Sequence, residues 1–152
     1  MQPRIAYAKA APGAAQAMQG LERYLATTNL EPALLDLVKL RASQINGCAY
    51  CIDRHWKDAR ARDESEQRLY GLDAWRESPY YSDRERAALA WTEAVTLVAL
   101  DHVPDAVYEQ ARECFAETEL VNLTLAVVAI NGWNRLAISF RSTPGHYKSS
   151  HE

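Results

Sequence analysis

Hydrophobic side chains recur at three- and four-residue steps along almost the whole chain, which is the spacing of one face of an α-helix. The clearest case is Pro32 to Ile45, where a proline that suits a first helical turn is followed by Leu34 and Leu37. Asn46-Gly47 then ends the helix, because these residues accept left-handed backbone geometry. No segment alternates apolar and polar residues as a half-buried strand would. The pattern therefore predicts an all-α fold.

The remaining periodic segments predict further helices, two of which begin with capping-box spacing, at Ser82-Asp83-Arg84-Glu85 and from Asp63 to Glu66. Besides Pro32 to Ile45, the predicted helices are Pro12 to Thr27, Cys48 to Ala61, Asp63 to Leu72, a long helix after Ser82 that reaches Val98, Pro104-Asp105 to about Phe115, and Glu119 to Phe140. Together they predict a helical bundle of about six or seven helices in a single domain spanning 1–152.

The last long helix, Glu119 to Phe140, is apolar on more than one side, which predicts a central core helix or an interface helix. Six modest helices rarely enclose such a helix completely, so we expect a homo-oligomer. Residues 141–152 are polar and contain Pro144-Gly145, and they predict an extended tail.

Composition places the chain among ordinary globular proteins, with 48% hydrophobic and 24% charged residues among 152. The net charge is −3 and basic residues are interleaved with acidic ones, which argues against nucleic acid as a partner. No apolar run has the length of a signal peptide core or a membrane span, so we expect a cytoplasmic protein without membrane contact. Three cysteines are an odd number, which does not suit a secreted disulfide framework.

Cys48, Cys51 and His55 fall at positions i, i+3 and i+7 of one predicted helix and therefore share a face. Cysteines at this spacing have Cα atoms about 5–6 Å apart, which allows a disulfide. The positive end of the helix dipole favours thiolates, and His55 can take the proton of Cys51. We therefore expect Cys51 to be the nucleophile and Cys48 to resolve its oxidised form by closing the disulfide.

Asp36 is the candidate fourth member of the site. If the Asn46-Gly47 break folds two helices into an antiparallel pair, Asp36 and His55 lie at similar heights, and the carboxylate could orient the imidazole as in a catalytic triad. The competing interpretation is a solvated helix position near Lys39.

Other residues leave alternatives open. A structural zinc site needs four ligands, and the sequence has no second pair of ligand residues at zinc-finger spacing. Metal binding is therefore a minor alternative to redox chemistry. A thioredoxin-like site needs a strand before the cysteines and is disfavoured. Tyr50 is either a packed aromatic or part of the site, Glu93 is either exposed or a buried acid near the site, and Cys114 is interpreted as a core residue.

The segment Ile45 to Cys51 followed by His55 resembles the carboxymuconolactone decarboxylase superfamily, in particular its alkylhydroperoxidase D (AhpD-like) branch. That branch has a glutamate, eleven residues, and then Cys-x-x-Cys-x-x-x-His. The resemblance extends through 37–44, 83–93 and 131–135 and covers most of the chain. Two positions of this chain differ from that pattern. Asp36 stands where the branch has its glutamate, and Tyr50 stands where alkylhydroperoxidase D has a histidine between the cysteines.

The resemblance implies peroxide reduction by an all-helical homo-oligomer, dimer-based and possibly a hexamer. It further implies that Cys51 attacks the peroxide, that Cys48 resolves it and that His55 relays protons. The predicted function is a thiol-dependent peroxidase without bound cofactor, which uses a small-molecule hydroperoxide and an external thiol reductant, lipoyl or thioredoxin-like. The alternatives are a lactone decarboxylase, for which a dithiol has no use, and a redox-sensing oligomeric module without enzymatic activity.

Overall fold

The computed structural model describes residues 2–149, and within them the chain is entirely helical, with no β-strand. One 3₁₀ turn, Leu72–Ala74, follows the fifth α-helix. The α-helices are α1 Tyr7–Ala10, α2 Pro12–Leu25, α3 Pro32–Ile45, α4 Ala49–Arg60, α5 Glu66–Tyr70, α6 Asp83–Thr96, α7 Val98–Asp101, α8 Asp105–Cys114 and α9 Glu117–Phe140.

The all-α prediction is confirmed, and six of these helices have ten residues or more. The helix boundaries agree best with the sequence prediction where a specific residue determines the helix end. Pro32 opens α3, and Gly47 follows its end with a φ of +65°, a conformation that a glycine adopts at little cost. At α6, Ser82 and Glu85 form the predicted capping box, in which each side chain accepts from the other's backbone N–H.

Two local predictions are wrong, and one short helix was not predicted. Asp63 does not start a helix, because it lies in a turn with a φ of +64°, and the Ser65 hydroxyl instead accepts from the Arg68 N–H to cap α5. The long helix that was expected to continue through Val98 ends at Thr96, and a separate short helix follows. The four-residue α1 has too few residues to show a period and was not predicted.

The core lies where α3 crosses α4, α6 and α9. By length and composition alone, the 24-residue α9 could cross a membrane. In this fold, however, Leu123, Val127 and Ile130 are fully buried against neighbouring helices, and the buried side chain of Asn134 hydrogen-bonds to α3. These contacts are typical of the core helix of a globular domain.

The segment after α9 contains no helix through residue 149, and it is held against α4. Lys57 Nζ donates to the carbonyl oxygen of Tyr147 at 3.1 Å, and Asp53 Oδ2 accepts the Gly145 N–H at 3.0 Å. Asp58 Oδ1 accepts the Tyr147 hydroxyl at 2.7 Å and the Ser149 hydroxyl at 2.8 Å. We call residues 142–149 the C-terminal strap; the rest of the predicted tail, 150–152, lies outside the described residues.

Candidate active site

The turn between α3 and α4 places the two cysteines at the start of α4. The Cys48 N–H donates to the Ser43 carbonyl at 2.9 Å, and the positive φ of Gly47 reverses the chain between the two helices. Cys48 is the N-cap residue of α4, and Cys51 is the third residue of its first turn. Both sulfurs therefore lie at the positive end of the helix dipole.

Both cysteines are free thiols, and both are deeply buried, with 1% of Cys48 and 3% of Cys51 exposed. They pack in one apolar cluster with Ala42 of α3 and with Ile130 and Ala137 of α9. The dithiol is thus enclosed by the central helices and does not lie on an open surface.

A cavity of about 330 Å³ reaches this dithiol from one side. Cys51 forms part of its wall and Cys48 does not, so Cys51 is the sulfur that a small molecule in the cavity would meet first. The predicted residues Asp36 and His55 also lie on the wall, as does Tyr50. The remaining wall residues come from five helices, the turn after α4 and the C-terminal strap: Tyr7, Gln19, Glu22, Lys39, Arg54, Asp58, Arg62, Trp133, Ala137 and Tyr147.

The two thiols have opposite pKa shifts because they share a hydrogen bond. The side chain of Cys51 hydrogen-bonds to the Cys48 sulfur and lowers the pKa of Cys48 to about 7, although burial acts in the opposite direction. The same hydrogen bond, together with burial and the neighbouring negative charge, raises the pKa of Cys51 far above its ordinary value. The pair therefore loses one proton near neutral pH and holds the second one strongly.

This order of acidity is the reverse of what the proximity of His55 to Cys51 favours. The more accessible sulfur is therefore not the more acidic one, since Cys51 faces the cavity and Cys48 ionises first. Moving the shared proton from Cys51 to Cys48 would place the negative charge on the accessible sulfur.

His55 is a neutral base at physiological pH. Burial holds its pKa well below the usual value, and the positive charges of Lys39 and Arg54 act in the same direction. The imidazole lies one helical turn after Cys51 on the same side of α4. Its Nδ1 atom is 4.0 Å from Asp58 Oδ2, which is longer than a hydrogen bond.

Asp36 is buried, with 7% of its surface exposed, and its Oδ2 atom accepts from Arg62 Nη1 at 3.5 Å. It lies on the same cavity wall as His55, so the α3–α4 hairpin places both at the site as predicted. The carboxylate nearest to His55 on its own helix, Asp58, was missed by the sequence analysis. Its signal was the i, i+3 spacing from His55.

Glu93 and Cys114 lie outside this cavity. Glu93 accepts from Trp75 Nε1 at 2.8 Å and from Arg41 Nε at 2.9 Å, so this half-buried acid ties α6 to α3 and to the 3₁₀ turn. Cys114 is partly buried beside the main core cluster. Within residues 2–149, no group of three or more His, Cys, Asp and Glu side chains is arranged to hold a metal ion.

The geometry defines a class of small all-α proteins in which a buried Cys-x-x-Cys pair and a histidine meet at a cavity. The family profile for carboxymuconolactone decarboxylases matches residues 12–94, which include both cysteines and His55. The chain belongs to the carboxymuconolactone decarboxylase family and to its AhpD-like branch.

Relatives and solved structures agree with this membership. The uncharacterized protein YdfG of Bacillus subtilis (strain 168) is 42% identical over 91% of this chain and 95% of its own length. A crystal structure from Agrobacterium tumefaciens has a TM-score of 0.93 and 46% identity, covering 96% of this chain and 100% of that one. It is a protein of unknown function whose provisional description is antioxidant defence protein AhpD.

A more distant structure shares the fold alone. An uncharacterized peroxidase-related protein from Ralstonia eutropha JMP134, described as an alkylhydroperoxidase AhpD core, has a TM-score of 0.80 and 18% identity. The match covers 91% of this chain and 74% of that protein. The family profile and the Agrobacterium tumefaciens structure therefore place the chain among the AhpD-like members of the carboxymuconolactone decarboxylase family.

Proposed function

We propose that this protein is a thiol-dependent peroxidase that reduces small hydroperoxides through a dithiol/disulfide cycle. One observation carries the proposal: Cys51 and His55 face the same cavity, while Cys48 is buried directly behind Cys51 and hydrogen-bonded to it. A peroxide in the cavity would therefore meet a sulfur, a base and a resolving thiol in that order.

In the first step, the Cys51 thiolate attacks the terminal oxygen of the peroxide and the O–O bond breaks. Cys51 becomes a sulfenic acid and the alkoxide leaves as an alcohol after taking up a proton. In the second step, the Cys48 sulfur attacks the Cys51 sulfur and water leaves. The dithiol has then lost two electrons and two protons, and the peroxide has become an alcohol and water.

His55 would move the proton in the first step. Because its pKa is depressed by burial, the imidazole is unprotonated and can relay the one proton that the dithiol retains when Cys51 is the thiolate. It then delivers that proton to the alkoxide oxygen, and the imidazole is neutral again at the end of the step. Asp36 would orient the imidazole across the cavity, through a water molecule if the gap is too wide for direct contact.

The cycle needs an external thiol reductant, which we propose to be a dithiol of the lipoyl or thioredoxin-like class. Such reductants are plentiful in a reducing cytoplasm, which is the compartment we propose for the protein. No bound cofactor takes part in these steps, because the two sulfurs carry both electrons.

Steady-state peroxide consumption with a dithiol reductant tests the proposal. Cys51→Ser should abolish turnover, whereas Cys48→Ser should still be oxidised once by one equivalent of peroxide but should form no disulfide between positions 48 and 51. Mass spectrometry after that single equivalent distinguishes the two variants, with Cys114→Ser as the matched cysteine control. A sulfenic acid on Cys48 in the Cys51→Ser protein, with retained turnover, would reverse the roles.

The family description also raises lactone decarboxylation as a second candidate. That reaction has no step for a dithiol, so it should survive when both cysteines are replaced by serine. A redox-sensing module is the third possibility, and it predicts disulfide formation without sustained turnover. Activity on a lactone in the double serine variant, or a single oxidation with no cycle, would overturn the peroxidase proposal.

A further inference from the structure

We propose that Asn134 of α9 is a positioning residue of the dithiol, whose amide N–H group donates to the sulfur that carries the negative charge. This inference rests on the proposed function, since it assigns a role within the same site. It adds a residue from the far end of the chain to a site that the sequence confines to 36–55.

The side chain of Asn134 lies on the face of α9 that covers the cysteines. Ile130 and Ala137 stand four residues before it and three after it, so all three share one face of the helix. Both neighbours belong to the apolar cluster that contains Cys48 and Cys51. Asn134 is fully buried, and an amide in such a place needs polar partners.

Two hydrogen bonds fix which way the amide points. Its Oδ1 atom accepts from Asn46 Nδ2 at 2.8 Å, so the carbonyl end is held toward the end of α3. Its Nδ2 atom donates to Ser43 Oγ at 3.1 Å, and that hydroxyl gives its own hydrogen to the Lys39 carbonyl at 2.7 Å. The donor end therefore cannot exchange places with the acceptor end, and its second hydrogen is left for the sulfurs.

The ionisation of the thiols agrees with this geometry, because a hydrogen-bond interaction with the Asn134 side chain lowers the pKa of Cys48 and that of Cys51. Of the charged groups nearby, Arg54 of α4 lowers the pKa of Cys51. The other titratable groups on the cavity wall around the dithiol are Tyr7 of α1, Glu22 of α2, Asp36 and Lys39 of α3, Tyr50, His55, Asp58 and Arg62 of α4 and the following turn, and Tyr147 of the C-terminal strap. Asn134 differs from all of these because it is a neutral donor that stays unchanged across the pH range.

Thiolate absorbance against pH, measured on the full chain in a Cys114→Ser background, tests the role directly. Asn134→Ala should raise the pKa of the first thiol ionisation by roughly one unit, which lowers the thiolate fraction at pH 6 roughly 10-fold. The rate of reaction with peroxide should fall by a similar factor at pH 6 and recover above roughly pH 9, where the thiolate forms unaided. A merely structural role would not produce a deficit that disappears with pH.

Asn122→Ala is the matched control, because Asn122 is also a buried amide of α9 but accepts from Tyr24 instead of facing the sulfurs. It should leave the thiol pKa unchanged. If Asn134→Ala does not fold, Asn46→Ala replaces it. This variant removes the bond that orients the Asn134 amide, together with a bond to Asn131 Oδ1, and it should raise the thiol pKa by a smaller amount.

The absorbance titration separates this inference from the peroxidase proposal, since it requires no peroxide. A raised pKa without turnover in the parent protein would keep Asn134 in its role and reject the peroxidase. Turnover in the parent, together with an unchanged thiol pKa in the folded Asn134→Ala or Asn46→Ala variant, would reject Asn134.

Discussion

Replacing either cysteine should shift the pKa of the other one, and the two shifts should have opposite signs. In Cys51→Ala, Cys48 loses the hydrogen bond that is the largest cause of its low pKa. Its pKa should then rise from about 7 toward the ordinary value of 9.0. In Cys48→Ala, Cys51 loses both the hydrogen bond and the negative neighbour that raise its pKa, so its pKa should fall.

The size of the pKa shift of Cys48 in Cys51→Ala follows from the same two pKa values. A rise of at most two units lowers the thiolate fraction at pH 6 by up to ~100-fold. The rate at which iodoacetamide alkylates Cys48 falls less than the thiolate fraction does, because a more basic thiolate is intrinsically a better nucleophile. With a Brønsted slope near 0.45, the net loss of alkylation rate at pH 6 is ~10-fold. Above roughly pH 9 the order should reverse, and Cys48 in Cys51→Ala should react faster than the parent dithiol.

The assay combines thiolate absorbance with alkylation rates between roughly pH 5 and 10, in a Cys114→Ser background that removes the third thiol. Alkylated peptides identify which sulfur has reacted. If both single variants raised the remaining pKa, or if neither changed it, the hydrogen bond between the sulfurs would not control their ionisation. If the pKa of Cys48 were unchanged in Cys51→Ala, the rate curves of the parent and this variant would not cross.

Four further predictions concern the relay, the fold and the assembly. His55→Ala should slow the oxidation of Cys51 by peroxide, with a loss that shrinks as pH rises. The parent rate should follow the thiol ionisation near pH 7 and show no additional step for His55, because the lowered pKa keeps the imidazole unprotonated there. A deficit that stays constant with pH would remove His55 from the relay. Asp36→Asn should have a smaller effect in the same direction, and no change would support a structural role. Glu93→Ala should leave buried hydrogen-bond donors unpaired and cost ~3 kcal/mol, seen as a melting temperature lower by ~6–12 °C with an unchanged thiol pKa. Sedimentation at micromolar concentration should show an oligomer that Val128→Lys dissociates, because α9 leaves an apolar face exposed; a parent species at 17.1 kDa would contradict this.

The sequence was a good guide wherever a single residue type enforces a local geometry. Pro32, Gly47 and Ser82 each fix one helix end, and the structure has a boundary at each of them. Cys51 and His55 reach one cavity because their spacing on α4 is a property of the helix itself.

The sequence was a poor guide wherever the outcome depends on a distant partner. The order of acidity in the dithiol depends on a hydrogen bond between the sulfurs and on Asn134, which lies more than 80 residues away along the chain. The path of the C-terminal strap depends on Lys57 and Asp58, whose positions in α4 carry no signal that they bind a tail. Periodicity describes faces of helices, and it does not describe such pairings.

The depth of the dithiol also limits the shape of its reductant. A cysteine on the surface of a thioredoxin-like reductant could meet Cys51, which is 3% exposed, only if the C-terminal strap moved Tyr147 away from the cavity wall. A small dithiol or a lipoyl group on an extended lysine side chain is slender enough to enter a space of about 330 Å³. The reductant would then enter through the same opening as the peroxide, so the two molecules would compete for one channel.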